Sequence, residues 1–415
     1  MVTQKKIGNL ITYVVVLLCF AYPISAITSV FLSLSSTPVN IAYRAFCLML
    51  SVIVIVYALS MGKVTLKRST LPLLVFLLVY LLRIVYDTLI RGVFHENTLT
   101  EIYAYYLGSI LIPILAIFFA FKYTDQKKLV ILSLYTLLVS NILLSVFYLK
   151  ENGWAITPEI LLERAVITSE DNDKLVVNPI SYSLYGGYLF LLSCAIIFIK
   201  SPILPKMIRM LSIIGLFIGL FNLILGTSRG PLIFSILGLL LIFALALKRT
   251  KINFRNYFRI VAVSLMLIAS VAYAASKVQF EVGAFVRLTS FAENIKSGEK
   301  EERNFLYQEA WDMFMESPVF GAKFILNSTG SYPHNIIFEI LMSMGILGLL
   351  IYLVIVLNLS LCFINLFKNK VHASRISILL VLSIGISLTT GNIYQSVDNW
   401  NLIAVLLAAS AKPFE

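Results

Sequence analysis

Two short stretches carry side chains whose type and position suit work on a phosphate group. In Gly226-Thr227-Ser228-Arg229-Gly230-Pro231, an Arg stands in an external turn between two apolar runs, and Pro231 suits the first position of the next helix. In Ser331-Tyr332-Pro333-His334-Asn335, a Pro and then a His open another apolar run. A helix start presents free N–H groups and a partial positive charge, the complement of phosphate oxygens. The guanidinium of Arg229 keeps its charge near neutral pH. Arg at one helix start and His at another would make a diphosphate clamp. The plainer alternative is an Arg that snorkels to lipid headgroups and a His held by structural hydrogen bonds.

Other charges sit inside apolar runs, where each costs at least ~2.5 kcal/mol at the bilayer centre. Arg44, Arg83, Asp87 and Glu339 all fall toward the outer end of their runs. Arg83 and Asp87 are four residues apart on one helix face and can neutralise each other or serve a site. Asp171-Asn172-Asp173 has a spacing some glycosyltransferases use for a metal and a nucleotide sugar, but in an acidic external loop it reads as solvated. Cys19, Cys47, Cys194 and Cys362 lie within runs without CxxC spacing, and His95, His334 and His372 are scattered. Neither set suggests a metal site, and no cofactor is expected.

The elements that position these residues are membrane helices. Of 415 residues, 59% are hydrophobic and 13% charged, which excludes a soluble multidomain protein. Apolar runs of membrane-crossing length recur at 9–34, 41–61, 70–90, 104–121, 128–149, 179–199, 207–226, 231–247, 259–276, 334–364, 376–391 and 400–411. The predicted fold is all-α and integral to the membrane, with about twelve spans, ten being the smaller alternative. The first span, after Lys5 and Lys6, is too long for a signal peptide and reads as retained. Three blocks follow: 1–276, with nine spans and an external loop at 150–178; 277–333, a large external loop; and 334–415, with the last three spans.

Basic residues set the orientation. With both termini cytoplasmic, most of the 33 Lys and Arg fall in inner loops, among them Lys63, Lys67, Lys127, Lys206, Arg255, Lys368 and Arg375. The net charge of +12 is thus a topology signal. Spread over short loops without an aromatic platform, these charges do not describe a nucleic-acid surface. Within the large external loop, Gly298 to Ser317 reads as an amphipathic helix on the membrane or on the bundle. Its acids Glu299, Glu301 and Glu302 come first, and Leu306, Ala310, Met313 and Phe314 share a face. A stretch with Val282, Phe285, Leu288 and Phe291 has similar spacing.

Three stretches together resemble a known family: Thr227-Ser228-Arg229-Gly230; Arg303 through Gly321, RNFLYQEAWDMFMESPVFG; and Pro333 through Gly348, PHNIIFEILMSMGILG. In this order and topology they are similar to the bacterial O-antigen ligase and polymerase superfamily, and most like its polymerases. The resemblance covers the last 190 residues or so; the first half matches only in hydropathy and in Asn178-Pro179. It implies an integral glycosyltransferase of C-type helical architecture, using glycans on undecaprenyl diphosphate at the periplasmic face of the bacterial inner membrane. Arg229 and Arg303 would bind the diphosphate and His334 would act at the reaction centre, as base or as phosphate ligand. Ser228 and Asn335, in the same motifs, and Arg287 and Arg164, in suitable loops, would contact substrate. Ala322-Lys323 replaces a second Gly often present after the Pro-Gly turn. Partners implied are lipid-linked oligosaccharides, with a chain-length regulator and a flippase of the same pathway. A ligase moving the glycan to lipid A-core would use the same residues. A flippase, the rival class, would be expected to place its charges near the midplane, and an assembly factor without catalysis would leave the clustered Arg and His unexplained.

Overall fold

The computed structural model describes residues 2–34, 36–62, 64, 66–93, 98–154, 165–168, 175–199, 204–250, 303–369 and 371–410. The helices are α1 Val2–Phe20, α2 Tyr22–Phe31, α3 Ser36–Ser60, α4 Leu71–Val85, α5 Leu99–Tyr105, α6 Ile112–Ala120 and α7 Gln126–Glu151. They continue with α8 Pro179–Phe198, α9 Lys206–Leu225, α10 Arg229–Thr250, α11 Arg303–Glu316, α12 Ile336–Asn369, α13 Val371–Thr389 and α14 Val397–Ser410. π-helical turns extend α4 through Tyr86–Ile90 and join α5 to α6 through Tyr106–Leu111. The strands, β1 Ile167–Thr168 and β2 Leu175–Val177, form an antiparallel ribbon, the regular elements among the described residues being otherwise helical.

Among the described residues, eight helices are long and apolar enough to cross a membrane, or nine if α1 and α2 make one broken span. The chain is a multi-pass membrane protein. The run at 9–34 is not one helix: Ala21 is non-helical and Pro23 stands second in α2, where its missing N–H costs nothing. The runs predicted at 376–391 and 400–411 fall on α13, whose apolar part Ala373–Thr389 is below the length of the eight candidate spans, and on α14, which has only 14 residues. Residues Asn399–Ala409 of α14 are all buried, so α14 is a core helix and not a lipid-facing span. The run at 259–276 and the stretch Val282–Phe291 lie outside the described residues.

Two compact units interleave along the sequence. The first takes the described residues of Met1–Tyr22, Asn40–Val130 and Lys300–Glu415. Its core is aromatic: Phe76 of α4 meets Trp400 of α14 at 5.3 Å and Tyr352 of α12 at 5.9 Å. Arg375, predicted in an inner loop, is instead fully buried in α13. Helix α13 begins at Val371, ahead of Arg375, and carries the charge into the bundle with it.

The second unit takes the described residues of Pro23–Val39 and Ile131–Glu299. Here α8 and α9 touch backbone to backbone where Gly186 and Gly219 face each other, the small-residue contact membrane helices favour. Beside it, Asn222 Nδ2 donates to Asn141 Oδ1 at 2.9 Å, Asn141 Nδ2 donates to the Tyr185 carbonyl at 3.0 Å, and Ser145 Oγ donates to Asn222 Oδ1 at 2.9 Å. In lipid each of these polar groups needs such a partner.

Candidate functional site

In the second unit, the turn before α10 is built on the start of α8. Asn178 caps α8, its Oδ1 accepting from Ser181 N–H at 2.7 Å, and Pro179 follows at the first helical position. Ser183, one turn on, donates from Oγ to the Leu223 carbonyl at 3.1 Å and accepts from Ser228 N–H at 3.4 Å. A side chain at Gly226 would collide with Ser183 and Pro179. Thr227 is buried with a φ of 47°, an outlying conformation for a β-branched residue. The turn thus sets Ser228 and Arg229, both half-buried, at the opening of α10.

In the first unit, Arg303 and Asn335 converge on the C-terminal end of α13. Arg303 Nη1 donates to the Thr389 carbonyl at 2.6 Å, and Asn335 Nδ2 donates to the Leu388 carbonyl at 2.8 Å. Asn335 also caps α12, its Oδ1 accepting from Ile337 N–H at 2.9 Å and from Phe338 N–H at 3.3 Å. His334, half-buried, has a φ of 56° and lies edge-on to Tyr332 at 4.6 Å. Backbone outliers of this kind concentrate at functional sites. Among the described non-glycine residues only Ser33, Trp154, Thr227 and His334 have positive φ, and two of these four lie in the motifs singled out from sequence. The carbonyl end of a helix is a favourable place for a guanidinium, and this bond uses one of Arg303's five N–H donors.

Helix α11, which starts at Arg303, packs on α12 through Ala310 and Met313 against Met342, and Tyr307 stacks on Phe338 at 4.9 Å. It lies on the bundle. Residues 317–322, which follow it, enter a break in α12 at Gly345, whose φ of 62° and ψ of −156° are non-helical. The Pro318 carbonyl accepts from Ile346 N–H at 2.8 Å, and Ala322 N–H donates to the Met342 carbonyl at 2.7 Å. Non-helical backbone at membrane depth requires such partners from the protein itself.

A charged cluster on α4 and its π-turn fixes the same segment. Arg83 Nε pairs with Asp87 Oδ2 at 2.9 Å, and Asp87 Oδ2 accepts from Phe324 N–H at 2.9 Å. Arg83 Nη2 donates to the Gly321 carbonyl at 3.1 Å and Arg91 Nη1 to the Ala322 carbonyl at 2.6 Å. Arg83 and Asp87 therefore do neutralise each other, and together they grip the backbone just after the Pro-Gly turn, at the Ala322-Lys323 departure. Arg91, four residues from Asp87, is a third member of this cluster, and that spacing is the sequence signal for it.

Glu339 and Arg44 also have structural partners. Buried Glu339 accepts from Tyr80 Oη at 2.5 Å and from Ile393 N–H at 2.9 Å. The Arg44 guanidinium lies 3.3 Å from the Tyr105 ring centroid, and Nη1 donates to Ser109 Oγ at 3.3 Å. All four Cys are buried, and no group of three or more His, Cys, Asp or Glu that could hold a metal occurs among the described residues. Arg164, Arg287, His95 and Asp171-Asn172-Asp173 lie outside them. Ser228 and Arg229 stand in the second unit, and Arg303, His334 and Asn335 in the first.

A comparison with curated proteins finds no match. Residues 214–353 match the family model described as O-antigen ligase, a stretch that begins in α9, includes Ser228, Arg229, Arg303, His334 and Asn335, and ends within α12.

Proposed function

We propose that this protein is a glycosyltransferase that polymerises O-antigen repeat units, moving a glycan from undecaprenyl diphosphate to a sugar hydroxyl of another lipid-linked repeat. The reaction takes place at the periplasmic face of the inner membrane. The acceptor oxygen attacks the anomeric carbon with inversion, the bond to the diphosphate oxygen breaks, and its electron pair leaves with the diphosphate. His334 takes the hydroxyl proton. Arg229 and Arg303 hold the diphosphate and stabilise its growing charge, with Ser228, Asn335, Arg164 and Arg287 as further substrate contacts. Fixed Arg charges make a metal unnecessary, so activity persists in EDTA; loss to EDTA with recovery in magnesium would count against that part.

The observation that carries this reading is the family match, which contains Arg229, Arg303 and His334 in one stretch. The family's description as O-antigen ligase favours a second reading, transfer of the finished glycan to lipid A-core with the same residues. Lipopolysaccharide gels of a strain lacking the gene, complemented with wild type, Arg229→Ala or His334→Ala, test both. A single-repeat band without a ladder identifies the polymerase, and bare core with polymer left on the lipid carrier identifies the ligase. A normal ladder with both variants, confirmed in the membrane, would leave neither reading standing.

A further inference from the structure

The turn from α13 to α14, Thr390-Gly391-Asn392-Ile393-Tyr394-Gln395-Ser396, touches the elements that carry Arg303 and His334. Arg303 and Asn335 bind the helix end that leads into it. Ile393 N–H is held by Glu339 of α12, and the Ile393 carbonyl accepts from Trp400 Nε1 at 2.7 Å. The ring of Tyr394 stands edge-on to Tyr332 at 6.3 Å, and Tyr332 in turn flanks His334.

The chemistry of this turn differs from that of the candidate motifs, because it contains no charged residue at all. Diphosphate recognition calls for cations. A neutral glycan instead presents hydroxyls, which amides and phenols meet as both donors and acceptors, and apolar ring faces, which aromatics cover. The turn's polar side chains are preorganised. Asn392 Nδ2 donates to Gln395 Oε1 at 3.0 Å, Gln395 N–H donates to Asn392 Oδ1 at 2.8 Å, and Gln395 Nε2 donates to Tyr394 Oη at 3.2 Å. Asn392 and Tyr394 are buried, whereas Gln395, Ser396 and Tyr332 are half-buried. Gln395 keeps a second Nε2–H and a second lone pair on Oε1, so the buried pair aligns an amide that can still hydrogen-bond outward.

We propose that Tyr332 and Gln395 form the acceptor subsite: the Gln395 amide reads sugar hydroxyls and the Tyr332 ring covers a sugar face, setting the attacking hydroxyl beside His334. This rests on the glycosyl-transfer reading and deepens it. The turn lies outside residues 214–353, so Gln395 stands beyond the portion that matches the family while Tyr332 stands within it.

The test uses the full chain in nanodiscs and two probes: the repeat-unit oligosaccharide released from the host's own lipopolysaccharide, and inorganic pyrophosphate. Wild type is expected to bind both. Gln395→Ala and Tyr332→Leu each weaken oligosaccharide binding about tenfold, corresponding to about 1.4 kcal/mol, and leave pyrophosphate binding within about twofold, which also shows that they are folded. Arg303→Ala gives the reverse pattern. Equal oligosaccharide affinity in wild type and both variants, or no binding by wild type, overturns the subsite. If Arg229→Ala and His334→Ala leave the O-antigen ladder unchanged, the glycosyl-transfer reading itself falls. If they abolish it while Gln395→Ala binds normally, only the subsite falls.

Discussion

His334 and Asp87, both singled out from sequence, are held in contrasting ways. His334 is held at positive φ next to Tyr332, while Asp87 is consumed by Arg83 and the backbone of Phe324. If His334 takes a proton, His334→Gln, which keeps a side-chain N–H but removes the base, lowers the initial transfer rate by about 10²-fold or more. A rate near wild type would make it a phosphate ligand instead. Asp87→Ala leaves the half-buried Arg83 without its carboxylate and the Phe324 N–H without its acceptor, and costs about 1–3 kcal/mol, read as a fall in melting midpoint in detergent. Arg83→Ala/Asp87→Ala is expected to cost less than the two single changes summed, because the pair acts as one unit. The helical spacing of four made the pair legible in sequence. Its target did not, since Phe324 is 237 residues away along the chain. Likewise, the types of Arg303 and Asn335 were readable, but the carbonyls they bind at Thr389 and Leu388 were not.

At the scale of elements, the broken α12 joins two of the motifs. A 31-residue run at 334–364 exceeds the ~20 residues a bilayer needs, so some irregularity was implied; what the run could not reveal was that residues 317–322 fill it. Gly345 permits this twice over, by its backbone conformation and by leaving room for the Pro318 and Val319 carbonyls. Gly62 has a φ of 63° with nothing near its missing side chain, and it serves as the control. Gly62→Ala is expected to cost only the backbone term, about 1–3 kcal/mol. Gly345→Ala adds a collision that pushes 317–322 out of the break, so its melting midpoint and its transfer activity both fall further. Equal losses in the two variants would mean that the inserted segment does not hold the break.

At the scale of the whole chain, hydropathy located membrane helices well where a run was long and uninterrupted, and less well where one residue altered its fate. Pro23 splits the first run, and α13 starts early enough to bury Arg375. Helix α14 reads as a span from its apolarity, yet it is short and enclosed, because a helix apolar on all sides suits a protein core as well as it suits lipid. Orientation rests on the distribution of Lys and Arg, and the buried state of all four native Cys makes it open to a clean experiment. Asn327→Cys and Lys206→Cys each introduce a thiol at an exposed position. A membrane-impermeant maleimide applied to cells with a permeabilised outer membrane but an intact inner membrane is expected to label Asn327→Cys. Lys206→Cys should react only after the inner membrane is opened, and the Cys-containing parent should stay unlabelled. The opposite pattern would turn the protein over and put Arg303 and His334 on the side where lipid-linked repeats are assembled, ending the case for a periplasmic transferase.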